Sequence, residues 1–146
     1  MTPTLTLCPA EPHDSAAMGA ILSDWIDTTD WMPRLYSRAQ DQAFCETLVE
    51  TTTLVKANGE IKGFLTRDGA EISALYIARG AHRQGLGTAL LKRAKSEVSE
   101  LRLWTFTANT SAQAFYAKHG FVQTDQTSGD NAENLPDLQL TWERKL

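Results

Sequence analysis

Cysteine is scarce in this chain: Cys8 and Cys45 are the two present, and their separation fits neither a metal-ligand nor a redox spacing. A disulfide scaffold and a metal site are therefore set aside. Two small buried thiols in a reducing compartment are expected instead. No apolar run approaches the roughly 20 residues that a membrane span requires. The opening MTPTLTLCPAEPHDS has no basic start and no long apolar stretch, which speaks against a secretory signal and for a cytoplasmic protein. Internal repeats, low-complexity tracts and Pro/Ser-rich linkers are lacking as well. Basic residues are outnumbered, 14 Lys and Arg against 18 Asp and Glu, for a formal net charge of −4. A general nucleic-acid binder needs a broad basic face to displace counterions, so that class is disfavoured.

What remains is an ordinary globular composition. Hydrophobic residues make up 42% and charged residues 22% of the 146. This predicts a single domain over 1–146 that buries roughly two-thirds of its extended surface. Charge is unevenly spread. Arg79, Arg83, Lys92, Arg93, Lys95 and Arg102 cluster in a stretch whose acids are Glu97 and Glu100, whereas the region before it leans acidic. A basic island in an acidic chain suits a small anionic ligand better than a polymer. On charge alone, a solvated helix face is the favoured reading.

The pattern of elements is mixed. Residues 4–8 alternate as a first strand, and Asp14 or Ser15 is placed to cap a helix carrying Met18, Ile21, Leu22, Trp25 and Ile26 at helical spacing. Thr28–Arg38 is aromatic, broken by Pro33, and reads as a loop. A second helix is expected over 38–50 with Phe44, Leu48 and Val49 inward. Asn58-Gly59 and Asp68-Gly69 then read as two-residue hairpin turns, making residues 51–78 a three-stranded antiparallel meander. Beyond it come a glycine turn, a helix striped by Leu86, Leu90, Ala94 and Val98, and a strand at 101–107. A helix opened by Asn109 comes next, with Gly120 at its end, and two closing strands flank the polar loop 129–137. The expected class is α/β, built on a mixed sheet.

The glycine turn carries the first chemical signal. After a strand come His82, Arg83, Gln84, Gly85, Leu86, Gly87 and Thr88, and then a helix. Glycines at 85 and 87 remove side chains where a loop must approach a ligand, and the first helical turn offers unpaired N–H groups and the positive end of the dipole. That is a pyrophosphate cradle, with Arg83 able to add charge. A P-loop would need a lysine between Gly87 and Thr88, and a dinucleotide fingerprint would need glycine where Leu90 stands. Taken alone, the turn remains open between a cradle and a plain tight turn.

One helix and one strand later stands Asn109-Thr-Ser-Ala112-Gln-Ala-Phe115-Tyr116-Ala-Lys-His-Gly120-Phe121. With both segments in order, the chain resembles the GCN5-related N-acetyltransferase (GNAT) superfamily. One family signature is Arg/Gln-x-x-Gly-x-Gly/Ala at a strand-to-helix turn; the other is an Asn-x-x-Ala-x-x-Phe-Tyr-x-x-x-Gly-Phe helix. The resemblance covers residues 50–127 well and the N-terminal helices in outline. His82 departs from the first signature position, which in the family works mainly through backbone amides.

The resemblance implies a GNAT fold: a mixed, mostly antiparallel central sheet with helices on both faces and strands splayed at the cofactor site. It implies acetyl-CoA as donor, with no metal. Backbone groups of Leu75, Tyr76 and Ile77 would pair with the pantetheine arm and steady the oxyanion. Residues His82, Arg83, Gln84, Gly85, Leu86, Gly87 and Thr88 would hold the pyrophosphate, with Asn109 on the pantetheine and Phe115 and Tyr116 lining the cofactor. Tyr116 would give a hydrogen bond or proton to the departing thiolate. For the base, Glu71 shares a strand face with Leu75 and Ile77 by simple alternation, against the competing reading of a solvated carboxylate after the hairpin turn; His119 is a weaker candidate.

The implied acceptor side runs through the first helix pair and its loop. Trp25, Trp31, Arg34 and Trp104 are the candidate substrate-binding residues, with Met32, Tyr36 and Phe106 nearby. Aromatics with one arginine suit an amine whose far end is a carboxylate, such as an amino acid or a peptide terminus. The expected function is acetyl transfer to a primary amine of a small molecule or peptide, by direct attack in a ternary complex. The alternative from another class is a non-catalytic acyl-CoA-binding regulatory domain. A toxin-like enzyme acting on aminoacyl-tRNA is a third reading, which the acidic balance opposes. Neither nucleic acid nor membrane is expected as a partner, and pairing as a homodimer is implied by the resemblance alone.

Overall fold

The computed structural model describes residues 4–81 and 85–145. The part of the expected pyrophosphate cradle at His82, Arg83 and Gln84 lies outside the described residues. Strands β1 (Leu5–Pro9), β2 (Thr52–Ala57), β3 (Glu60–Asp68) and β4 (Glu71–Ile77) form an antiparallel run. Strands β5 (Glu100–Phe106), β6 (Val122–Thr127) and β7 (Asp137–Glu143) complete one seven-stranded sheet of order β1-β2-β3-β4-β5-β7-β6. The last strand therefore sits between β5 and β6. The first hairpin turn lies at Asn58-Gly59, as its sequence predicts. The second is centred on Gly69-Ala70, because Asp68 is already paired with Glu71 in the ladder.

Helices cover both faces. On one, α1 (Ser15–Thr28) and α2 (Arg38–Glu46) pack Met18, Ile21 and Leu22 against Leu54, Phe64 and Ala74. On the other, α3 (Leu86–Glu97) and α4 (Thr110–Lys118) pack Leu90, Leu91 and Tyr116 with Leu65, Ile72, Leu101 and Leu103. Burying each such leucine contributes roughly 2 kcal/mol, which is what holds helices this short in place.

Two expectations about the first helices are corrected. Asp14 occupies the N-cap position of α1, but its carboxylate turns back to accept from the Glu11 N–H at 2.8 Å, closing the preceding 3-10 turn. In α2 the inward pair is Asp41 and Cys45, one turn apart, and Phe44 is 53% exposed. Asp41 is buried because it is fully engaged: Ser23 Oγ donates to it at 2.6 Å and Arg34 at 2.9 Å. A buried acid on the core face shifts the helix by one residue from the apolar reading.

Two irregularities in the sheet shape its central cleft. Thr66 pairs with Ala74 and Arg67 with Ile72, so Ser73 is an extra residue, a bulge in β4. And β4 meets β5 in parallel at a single register pair, Glu71 with Arg102, where the Arg102 N–H donates to the Ala70 carbonyl at 2.8 Å. Beyond that point the two strands part into a V.

Candidate active site

The V opens onto a cavity of about 730 Å³ whose walls are β4, β5 and the facing ends of α3 and α4. Leu75, Tyr76 and Ile77 line it, at the end of β4 where no β5 residue is paired to their strand. A backbone edge that a sheet would normally satisfy thus faces open space, and polar groups in that position call for a partner of their own. Thr105 and Phe106 line the opposite wall, with Trp104, which is 43% exposed.

The glycine turn delivers α3 to the mouth of this cavity. Gly85 is the N-cap of α3 with φ 77°, a left-handed conformation that a side chain disfavours, and among the described residues a Cβ there would meet nothing within 4 Å. The N–H groups of the first turn have no partner within the helix and carry the positive end of its dipole. Gly87 has the opposite constraint: a Cβ would stand 3.1 Å from Phe115 Cζ, so its absence lets α3 and α4 approach. Leu86 is buried beneath, and Thr88 Oγ1 lies 3.2 Å from His119 Nε2, tying the start of α3 to the end of α4. Gly85, Leu86, Gly87 and Thr88 all line the cavity. These features suit a group with a diphosphate and an extended amide arm, the build of acetyl-CoA.

At the start of α4, Asn109 caps the helix by accepting from the Ala112 N–H at 3.1 Å, and it lines the cavity. Phe115 and Tyr116 come next on the lining. Tyr116 is 6% exposed and packed on Phe115 and Phe121, each ring centroid 5.2 Å away. Burial, with a smaller effect from Tyr76, raises its hydroxyl far above the ordinary phenol range. Burial likewise pushes Tyr76 up to about 12. Both phenols keep their protons throughout the physiological range.

Glu71 is not brought to the site. It sits at the closed end of the V, exposed and ion-paired with Arg102, and is absent from the described cavity lining. The bulge at Ser73 also breaks the alternation that would have aligned it with Leu75 and Ile77. His119 likewise lies outside the lining, stacked on Phe115 with centroids 4.7 Å apart.

On the α1/α2 side the aromatics gather, but the arginine does not join them. Trp25 packs on Tyr76 at 5.3 Å, Trp31 on Trp25 at 5.8 Å, and Trp31 on Phe106 at 5.7 Å. The loop after α1 thus straps the two arms of the V together. Arg34, expected to meet an acceptor carboxylate, is committed elsewhere. Its Nε donates to Asp27 at 2.6 Å, and its terminal nitrogens donate to Asp41 at 2.9 Å, the Tyr36 carbonyl at 2.7 Å and the Ser23 carbonyl at 3.1 Å. It is a brace between α1 and α2.

Ser111 and Lys118 also line the cavity, and sequence reasoning misses both. Their spacing from Phe115, four before and three after, puts all three on one helical stripe and is the signal that could have revealed them.

Comparison with known proteins agrees with this geometry. A family model described as Acetyltransferase (GNAT) domain matches residues 28–136. The peptidyl-lysine N-acetyltransferase YiaC of Escherichia coli (strain K12) is 28% identical over 131 residues, covering 84% of this chain and 88% of that protein. Among solved structures, apo YjaB from Escherichia coli superposes with a TM-score of 0.81 at 20% identity, over 97% of this chain and 99% of that one. The yncA protein from Salmonella typhimurium, solved with its cofactor acetyl-CoA, gives 0.71 at 17% identity, over 97% and 94% of the two chains. The chain belongs to the GNAT acetyltransferase superfamily, as an N-acetyltransferase that uses acetyl-CoA.

Proposed function

We propose that the protein transfers the acetyl group to the primary amine of a small molecule or a peptide, within a ternary complex and without an acyl-enzyme. The observation that carries this reading is the parting of β4 from β5 beside the buried Tyr116, with the glycine turn at the mouth. Bound acetyl-CoA supplies an activated thioester: the amine nitrogen forms the new C–N bond, the C–S bond breaks, and the sulfur leaves as a thiol. The relative acting on peptidyl-lysine supports including protein-borne amines among the acceptors.

Each residue's part comes from its surroundings. The free edge of Leu75, Tyr76 and Ile77 holds the amide arm and fixes the thioester in the V. Gly85 through Thr88 present N–H groups to the diphosphate, with the Asn109 amide on the arm and Phe115 packed along it. Tyr116 keeps its proton because ionising a buried phenol is costly, and its O–H donates a hydrogen bond to the departing sulfur, which takes up the proton that the nitrogen loses as the amide forms. The incoming ammonium must shed a proton before it has a lone pair to attack with. Glu71 is ion-paired with Arg102 and outside the described lining, so the proton passes to solvent at the acceptor side. Neither cysteine fits a covalent role: Cys45 is buried with its thiol pushed up to about 11, and both thiols are absent from the described lining.

The test is mass spectrometry of pooled amines, amino acids and peptides incubated with acetyl-CoA and the protein, beside a boiled control and Tyr116→Phe. A product heavier by one acetyl group, weakened in the variant, is the expected result. Acetyl-CoA binding by calorimetry without any product would favour a regulatory domain, and absence of binding would remove the cofactor assignment.

A further inference from the structure

The two helices beside the glycine turn carry positive charge with almost no acid among it. No Asp or Glu stands between Glu71 and Glu97 or between Glu100 and Asp125, so α3 up to its last residue and the whole of α4 lack carboxylates. Glu97 itself is drawn off to Arg67 at 3.0 Å. Against this stand Lys92, Arg93 and Lys95 on α3 and Lys118 on the last turn of α4. Among the described residues, none of these four belongs to an ion pair.

The three lysines gather at His119. Thr88, Lys92 and Lys95 are four and three residues apart, which puts them on one stripe of α3. Both ends of that stripe touch His119: Thr88 Oγ1 lies 3.2 Å from its Nε2, and Lys95 Nζ donates to its carbonyl. Lys92 stands between them, and Lys118 precedes His119 in the chain. The charges of Lys95, Lys118 and Lys92 all reach the imidazole and add to burial in lowering its proton affinity. Lys95 is committed to holding the end of α4, with its ammonium 4.9 Å from the Trp142 ring and 5.8 Å from that of Phe121. Lys92 and Lys118 are exposed.

This cluster adjoins the glycine turn. Thr88 and Lys118 line the cavity, whereas Lys92 and His119 lie outside the lining and are joined to it through Thr88. Coenzyme A carries a third phosphate beyond its diphosphate, a monoester on the 3′ carbon of the ribose, with about two negative charges at neutral pH. The N–H groups of the first turn of α3 are taken by the diphosphate, so the monoester needs cations of its own.

We propose that Lys92 and Lys118, gathered around His119, bind the 3′-phosphate of coenzyme A, so that the protein selects the full cofactor over one lacking that phosphate. The inference rests on the reading that the diphosphate lies at Gly85 through Thr88. Lys95 and His119 act as positioning residues, fixing the end of α4 on which Lys118 stands. Arg93 falls on another face of α3 and takes no part.

The experiment is calorimetry of the full chain with coenzyme A and with 3′-dephospho-coenzyme A. The full cofactor is expected to bind roughly tenfold tighter or more, and the ratio to shrink as salt is raised. Lys118→Gln and Lys92→Gln should each weaken the full cofactor by roughly threefold to tenfold while moving the dephospho form by less than about twofold. Arg93→Gln, which removes the same charge from the same helix, should leave that ratio unchanged. Independently, the His119 imidazole pKa followed by NMR should rise when coenzyme A binds and rise less with the dephospho form, since a phosphate dianion offsets the lysines around it. Equal affinity for the two forms, or lysine variants that weaken both alike, overturns the inference while leaving the cofactor assignment in place. Failure of both forms to bind removes the cofactor reading and the inference with it.

Discussion

Glu71 and Arg102 form an ion pair at the register position where β4 and β5 still meet, and that pair closes the narrow end of the V. The carboxylate is a clasp on the sheet, committed to Arg102 and absent from the described cavity lining. Glu71→Gln is accordingly expected to leave kcat and its pH profile unchanged. Steady-state kinetics between pH 6 and 9 check this; a fall of roughly 100-fold, the scale of a lost general base, would return Glu71 to the chemistry.

Tyr116→Phe removes a hydroxyl while keeping the ring that packs against Phe115 and Phe121. The expected result is a loss of roughly 100-fold in kcat with acetyl-CoA affinity and Tm nearly unchanged. A variant that binds acetyl-CoA equally well and turns over at the original rate would show that sulfur leaves unassisted.

The two glycines of the turn fail for different reasons, and substitutions should separate them. Gly85→Ala meets none of the described residues but a left-handed backbone, which costs about 1 kcal/mol and lowers Tm by roughly 3 °C. Gly87→Leu drives a side chain into Phe115, spreading α3 from α4. Calorimetry should then show acetyl-CoA affinity reduced by roughly tenfold or more.

His119 gives the protein an acid-side sensitivity. Burial, then the positive charges of Lys95, Lys118 and Lys92, lower its folded pKa below the ordinary imidazole value of 6.5. The unfolded chain therefore takes up the proton first as pH falls, and stability declines from about 6.5 downward until the folded-state pKa is passed. Above that range this contribution is fully present. Urea denaturation midpoints between pH 5 and 8 should lose that part of their slope in His119→Gln; an identical slope in both proteins would locate the sensitivity elsewhere.

Much of the site is legible in the sequence because its signals are local. The Asn58-Gly59 turn, the glycines at 85 and 87, and the Asn109-to-Phe121 helix each encode backbone geometry within a few residues, and each stands where the sequence puts it. The place of Glu71 is hidden by the bulge at Ser73, since an inserted residue leaves no mark on a pattern of alternating polarity. The role of Arg34 is hidden because its partners, Asp27, Asp41 and the carbonyls of Ser23 and Tyr36, converge only once α1 and α2 are packed together. The buried Asp41 conceals the true inward face of α2 for the same reason: a satisfied acid in a core looks like a surface residue until its partners are seen.

The order β5-β7-β6 also sets a timetable for the ribosome. β5 has one register pair with β4 and seven with β7, so nearly all of its ladder waits for β7. In a nascent chain lacking β7, the Leu75–Ile77 wall has its ladder partner in β3, whereas Trp104, Thr105 and Phe106 have yet to meet theirs. Acetyl-CoA, which would stabilise the finished protein by mass action, can offer nothing to that half-built cleft. The unfinished product rests on its meander and on the helices already packed against it, α1, α2 and α3, and the cofactor-loaded population reports the chains in which β7 has joined β5.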